Sequence, residues 1–133
     1  GIKRHILTDT LGLVLTVVVH AANIGERDGA KMVLTRAKKQ CARIKKIFSD
    51  QGYNGDSFFG WVRKTCGWTL EVVRREGKGF VVLKKRWIVE RTFAWLTYSR
   101  RLSKNYERSS SHGEAMVYVS MIHLMTRRLA RVI

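Results

Sequence analysis

Seven residues, Leu13–Val19 (LVLTVVV), constrain the fold of this chain more than any others. They are apolar at both alternating sets of positions, and only Thr16 interrupts them. Branched side chains are stiff at χ1 and favour extended backbone. A strand that is apolar on both faces has to be covered on both sides, so the rest of the chain must supply two layers. The run is far too short to cross a bilayer, which takes about 20 residues. Residues 2–8 (IKRHILT) read as a second strand, and Asp9-Thr10-Leu11-Gly12 between the two reads as the turn of a β-hairpin. The first strand alternates less cleanly, Lys3 and His5 against Arg4 and Ile6, which places it nearer an edge.

The remaining periodicities alternate between helix and strand. Ala30, Val33, Leu34, Ala37 and Cys41 form one stripe opposed by Lys31, Arg36, Lys38 and Lys39, which predicts an amphipathic helix over 27–41. Residues 43–49 (RIKKIFS) predict a short strand ending at Asp50-Gln51-Gly52. Phe58, Phe59 and Val62 predict a helix over 56–65, with Asp56 or Ser57 able to cap it. Residues 68–74 predict a strand, and 76–79 a glycine-flanked turn. A helix over 84–98 would bury Trp87, Ile88, Phe93, Ala94, Trp95 and Leu96. A last helix over 113–130 is apolar on most sides, which predicts that it is largely buried; Arg127, Arg128 and Arg131 near its end complement its dipole. The order β-β-α-β-α-β-α-α defines an α/β protein with a mixed sheet. A length of 133 residues suits one domain.

Charge narrows the function. Lys and Arg number 26 against 10 Asp and Glu, a formal net charge of +16. Such an excess favours a polyanionic partner, nucleic acid before an anionic membrane surface. Residues 81–133 hold 11 of the basic residues and 3 of the acidic ones, so the last third is the expected polyanion surface. The stretches Lys84–Arg86 and Arg100–Lys104 read as phosphate-binding or as solvated faces. Two cysteines, Cys41 and Cys66, form no CxxC or Cys/His cluster and read as reduced thiols. The four histidines do not cluster in sequence and read as structural; Trp61, Trp68, Trp87 and Trp95 read as core.

Because acidic residues are scarce, their placement is informative. Asp50 lies just past an apolar strand, where an open α/β sheet presents ligand groups. Glu90 lies within an apolar helix one turn after Arg86 and beside Arg91. Carboxylates converging from separate elements suit a two-metal site for phosphoryl transfer, and Mg²⁺ is typically held by a few carboxylates with substrate phosphates. By spacing alone, Asp50 reads more readily as a turn residue or helix cap, and Glu90 as a surface ion pair.

Four stretches carry a family likeness. KRHILTDTLGLVLTVVV with AANIGERDGA, then FSDQGYNG, then RWIVERTFAWL, then RRLSKNYERSSSHGEAMVYVSMIHLM occur in order over nearly the whole chain. The sequence resembles the carboxyl-terminal part of the catalytic domain of DDE transposases of bacterial insertion sequences, the IS four and IS five superfamily. The resemblance implies an RNase H-like mixed sheet flanked by helices. It also implies DNA strand cleavage and strand transfer at insertion-sequence ends with Mg²⁺, for which Mn²⁺ can substitute. Asp50, in its D-x-G-Y setting, and Glu90, in an R-x3-E pattern with Arg86, match the family's second and third catalytic, metal-binding acids. Arg86, Arg91, Arg100, Arg101 and Lys104 are the implied DNA contacts. A Tyr and a Lys of the fuller pattern are replaced here by Leu83 and Thr97. Partners implied are double-stranded DNA, both transposon ends and target, and a second copy or a complementing amino-terminal polypeptide, with a cytoplasmic, nucleoid-associated location and no membrane.

The family's first Asp lies on a first strand upstream of the KRHIL hairpin, and that strand is not found in these 133 residues. Asp9 does not replace it, because the RNase H-like order 3-2-1-4-5 puts Asp9 at the opposite end of the sheet from Asp50; it reads as a turn residue. The first residue is Gly1 and the first methionine Met32, so the chain reads as an amino-terminally incomplete catalytic domain lacking its central strand. Two strand edges would then lack a partner. The expectation is that the chain alone is poorly stable, and inactive because one catalytic Asp is absent. The alternative is a non-catalytic, basic DNA-binding remnant of a transposase; an unrelated RNA-binding protein is a third reading.

Overall fold

A computed structural model of the chain describes residues 1–53, 55–73, 84–99, 102 and 108–132, without the side chains of 84–87. The elements are β1 (Ile2–Thr8), β2 (Val14–Ala21), α1 (Glu26–Gln40), β3 (Lys46–Ser49), α2 (Asp56–Cys66), β4 (Thr69–Val72), α3 (Lys84–Thr97) and α4 (Ser110–Val132), with a 3-10 turn over Gln51–Tyr53. This mixed α/β order is the one the sequence predicts. The turn expected at 76–79 lies outside the described residues.

β1 and β2 form an antiparallel hairpin from Ile2↔Ala21 to Thr8↔Val14, with an irregularity between Leu7 and Thr8. Asp9 builds the turn, since its Oδ1 accepts the backbone N–H groups of Leu11 and Leu13, both at 2.9 Å. Gly12 closes it at φ +84°, a left-handed conformation costly for side-chain-bearing residues. Thr92 of α3, fully buried, donates its hydroxyl to the Gly12 carbonyl at 2.5 Å and ties the turn down.

The two faces of β2 feed two separate cores. Val18 packs with Ala30, Val33, Leu34 and Ala37 of α1 and with Phe58, Val62 and Trp68 beyond them. Val17 and Val19 pack on the opposite side with Val117 and Met121 of α4 and with Leu96 and Leu102. Both layers demanded by the apolar strand are present. Each fully buried valine contributes about 1.5–3 kcal/mol relative to exposure, so loss of either layer is costly.

The outer edge of β2 is sealed by side chains. The Tyr118 hydroxyl accepts the Val17 N–H at 3.2 Å, and Glu114 Oε1 accepts the Val19 N–H at 3.0 Å. Arg36 donates both to the Val17 carbonyl at 2.9 Å and to Glu114 Oε2 at 2.7 Å. These outward groups of Val17 and Val19 fix the phase of the ladder. Because opposed residues of an antiparallel pair point their backbone groups the same way relative to the ladder, Arg4 and Ile6, opposite Val19 and Val17, point theirs away from β2. β3 and β4 form a second, parallel pair, Lys46↔Thr69 to Ser49↔Val72. Among the described residues there are thus two two-stranded sheets rather than one mixed sheet.

Several expectations are corrected. β3 begins only at Lys46 and β4 spans only Thr69–Val72. The residue before α2 is Gly55, at φ +141°, with no side-chain cap, so neither Asp56 nor Ser57 caps it. In α3, Leu96 is buried but Ala94 is exposed and Ile88, Phe93 and Trp95 are half-buried. The last helix buries only Gly113, Val117 and Met121, while Val119, Ile122, Leu129 and Val132 are exposed. Of its 23 residues, those on one face, Gly113, Val117 and Met121, turn toward the hairpin, and the exposed apolar side chains lie off that face. Among the described residues no helix is long and apolar enough to cross a membrane.

Two outcomes test this description. In hydrogen exchange, the Arg4 and Ile6 amides should exchange faster than those of His5 and Leu7; equal protection would contradict the open edge. Glu114→Ala, which strands the Val19 N–H and Arg36, should lower unfolding stability by about 1–3 kcal/mol by urea titration. Leu129→Lys, on the exposed half of the same helix, should change it by less than about 0.5 kcal/mol.

Candidate active site

Between the open edge of β1 and β3 lies a cavity of about 460 Å³. Lys3–Leu7 line one wall and Ile47–Asp50 the other, with Ala30, Leu34 and Phe58 on one face and Val89, Glu90 and Phe93 of α3 also lining it. Asp50 follows β3 directly, because the strand ends where the chain turns into Gln51–Tyr53. Its Oδ1 accepts the Gly52 N–H at 3.0 Å, and its carbonyl accepts the Tyr53 N–H at 3.3 Å. The side chain is exposed, as is Glu90 at the middle of α3. Two acidic residues 40 apart in sequence, one at a strand end and one in a helix, therefore line a single cavity, as does Glu26 of α1.

The basic candidates are distributed differently. Arg86 lies one turn before Glu90, with its side chain outside the described residues, as are Arg100, Arg101 and Lys104. Arg91 is turned from the cavity: its guanidinium donates to the Leu11 carbonyl at 2.7 Å and lies 4.6 Å from the Trp95 ring centroid. Arg128 approaches the same ring at 4.4 Å. Such guanidinium–indole contacts are worth about 0.5–1 kcal/mol where solvent reaches them, so Arg91 has a structural task at the hairpin turn.

The donor set can be judged from its chemistry. Among the described residues, no group of three His, Cys, Asp or Glu side chains is arranged to hold a metal ion. Asp50 and Glu90 are hard oxygen donors, and Mg²⁺ is commonly held by one or two carboxylates completed by water and substrate phosphate. The pair fits such an ion as part of a set.

A polar cluster, whose Lys3, His5, Glu26 and Tyr53 line the same cavity, joins residues far apart in sequence. His5 Nδ1 and His20 Nε2 are 2.6 Å apart, with ring planes within 20°. His20 Nδ1 is 2.8 Å from the Ala21 carbonyl, and His5 Nε2 is 3.1 Å from Glu26 Oε2. Lys3 donates to Glu26 Oε1 at 2.7 Å, and the Tyr53 hydroxyl donates to Oε2 at 3.4 Å. Both histidines are buried. The signal for their meeting was the hairpin register: Lys3 lies opposite His20, so His5 is its diagonal neighbour on the same face. Gly29 is where α1 passes over the pair, and a Cβ there would meet His20 Nε2 at 2.5 Å.

Burial is the largest influence on His5 and holds its pKa below the ordinary 6.5, with the Glu26 hydrogen bond pulling the other way. Lys3, and then His5, hold the Glu26 carboxyl below its ordinary range. Burial, together with the negative charges of Glu26 and Asp50, pushes the Tyr53 phenol upward. A buried base with a depressed pKa contributes its stability above the unfolded-state value, and loses it as pH falls from there toward the folded-state value. The stability difference between the native chain and His5→Gln should therefore shrink as pH drops below about 6.5; a difference that grows on acidification would contradict this. Gly29→Ala should destabilise by about 1–3 kcal/mol, measured at neutral pH by urea unfolding.

The profile of the family described as Transposase DDE domain matches residues 1–125. The "Putative transposase for insertion sequence element IS402" of Burkholderia cepacia is 30% identical over 121 residues, covering 85% of this chain and 57% of that relative. The chain therefore belongs to the DDE transposases of insertion sequences, and it spans little more than half the length of this curated relative. No solved structure matches it.

Proposed function

We propose that these residues form part of an RNase H-like transposase catalytic domain, with Asp50 and Glu90 as two of its metal-binding carboxylates. The observation that carries this reading is their convergence on the cavity between β1 and β3. A bound divalent ion, Mg²⁺ or Mn²⁺, would supply positive charge to the phosphate being cut. The chain's own part is to hold that charge from two rigid elements and to grip DNA around it. Arg86, one turn before Glu90 in sequence, would sit near the scissile phosphate or orient that carboxylate. Arg100, Arg101 and Lys104, in the basic last third, contact the backbone, and Arg91 does so at the cost of its contacts with Leu11 and Trp95. Neutralisation of phosphates by such residues makes binding strongly salt-dependent.

The third carboxylate comes from a strand outside residues 1–133. The backbone groups of Arg4 and Ile6 face the cavity, β3 lies across it, and a strand between them would join the two sheets into one. Its aspartate would then stand beside Asp50. The reaction is hydrolytic cleavage at the insertion-sequence end, followed by attack of the freed 3′-hydroxyl on target DNA. Transposon ends and target are thus the partners, and a second copy or a complementing polypeptide completes the enzyme.

In a complete enzyme carrying this segment, Glu90→Gln should abolish Mg²⁺-dependent nicking of terminal-inverted-repeat DNA while leaving DNA affinity unchanged. Retained nicking would remove Glu90 from the site. The competing reading, a DNA-binding remnant without turnover, draws on the presence of only two carboxylates of the expected three among the described residues. Supplying the upstream strand in trans distinguishes them: restored cleavage supports the enzyme, and DNA binding without cleavage supports the remnant.

A further inference from the structure

The His5–His20 cluster can be read by counting protons. Three contacts lie in line: Ala21 O to His20 Nδ1, His20 Nε2 to His5 Nδ1, and His5 Nε2 to Glu26 Oε2, at 2.8, 2.6 and 3.1 Å. The line begins at a carbonyl and ends at a carboxylate, both of which only accept, so each contact requires a proton on an imidazole nitrogen. Two neutral imidazoles carry two such protons. In the neutral pair, one contact must therefore oppose two acceptors. If His20 carries its proton on Nδ1 and His5 carries its own on Nδ1, toward His20 Nε2 at 2.6 Å, the mismatch falls at the Glu26 end. That end is the softer one, because the Glu26 side chain is 48% exposed and can turn into water.

Glu26 is also the junction of the cluster. It receives Lys3 from β1 and Tyr53 from the 3-10 turn, on the first turn of α1. The Tyr53 ring lies edge-on to His5, with centroids 6.2 Å apart, and the Tyr53 N–H is bonded to the Asp50 carbonyl. The charged and titratable groups facing the pair are Lys3 on its own strand, Glu26 on α1 and Tyr53 on the turn. A change in the grip of Glu26 on His5 is passed to the oxygen that Tyr53 shares, and from Tyr53 to the turn that presents Asp50.

We propose that His5 and His20 take up one extra proton as a unit, and that this proton, by completing the contact with Glu26, sets the position of the Tyr53 turn beside Asp50. Burial of His5 opposes that charge. Glu26 stays ionised because Lys3 stabilises its negative form. The histidines are positioning residues, acting on Asp50 through Glu26 and Tyr53. The proposal rests on the preceding reading only in treating Asp50 as a metal ligand, and its test does not involve cleavage.

The test is a pH titration of the ¹⁵N-labelled 133-residue chain by NMR, held below its thermal transition. The expected result is a single midpoint shared by the ring nitrogens of His5 and His20, and by the Tyr53 ring and the Gly52 amide. A strongly downfield proton bridging the two rings should accompany the protonated form. Two independent histidine titrations, or Tyr53 and Gly52 signals that do not move through the histidine midpoint, would overturn it. In Glu26→Gln the pair should still titrate while the Tyr53 and Gly52 response is lost; an undiminished response would overturn the route through Glu26. Should that variant not fold, the native titration decides alone.

Discussion

Satisfaction of strand edges is the constraint on which the rest of this structure depends. Buried backbone N–H and C=O groups require partners, and a strand as apolar as β2 is buried by necessity. Its outer edge is answered from the side, by Tyr118, Glu114 and Arg36, and its inner edge by β1. The opposite edge of β1 has no strand beside it among the described residues and opens onto the cavity. Asp50 is where it is because β3 ends at the far wall of that cavity, and Glu90 because α3 lines it as well.

The scarcity of acid gives the same picture a second support. Glu26, Glu71 and Glu114 are held by Lys3, Lys46 and Arg36, pairs that join one element to another. Asp9 is consumed by the hairpin turn. Asp50 and Glu90, like Glu26, line the cavity. In a chain of formal charge +16, three acidic residues, Glu26, Asp50 and Glu90, line one cavity.

Much of this was legible in local pattern. The branched apolar run Leu13–Val19, the IKRHILT stretch and the Asp9–Gly12 turn read out the hairpin, and helical stripes read out α1, α2 and α3 in order. Asp50 and Glu90 were legible through the motifs around them. What stayed hidden depends on distance in sequence. Periodicity shows that α4 is apolar but not that only its Gly113–Val117–Met121 face is covered, so Ile122 and Leu129 emerge exposed. It shows Arg91 beside Glu90 but not the Leu11 carbonyl that captures its guanidinium. The His5–His20 contact follows from cross-strand register, which becomes readable only once the turn and its irregularity are known.

The central claim is that Asp50 and Glu90 belong to one metal site on the cavity between β1 and β3. Paramagnetic broadening by Mn²⁺, followed residue by residue in NMR spectra of the ¹⁵N-labelled chain, tests it most directly. The account predicts that signals around Asp50 and around Glu90 broaden together at the same Mn²⁺ concentration, and that Asp50→Asn removes the effect at both. Broadening at one without the other, or at both after that substitution, would contradict it.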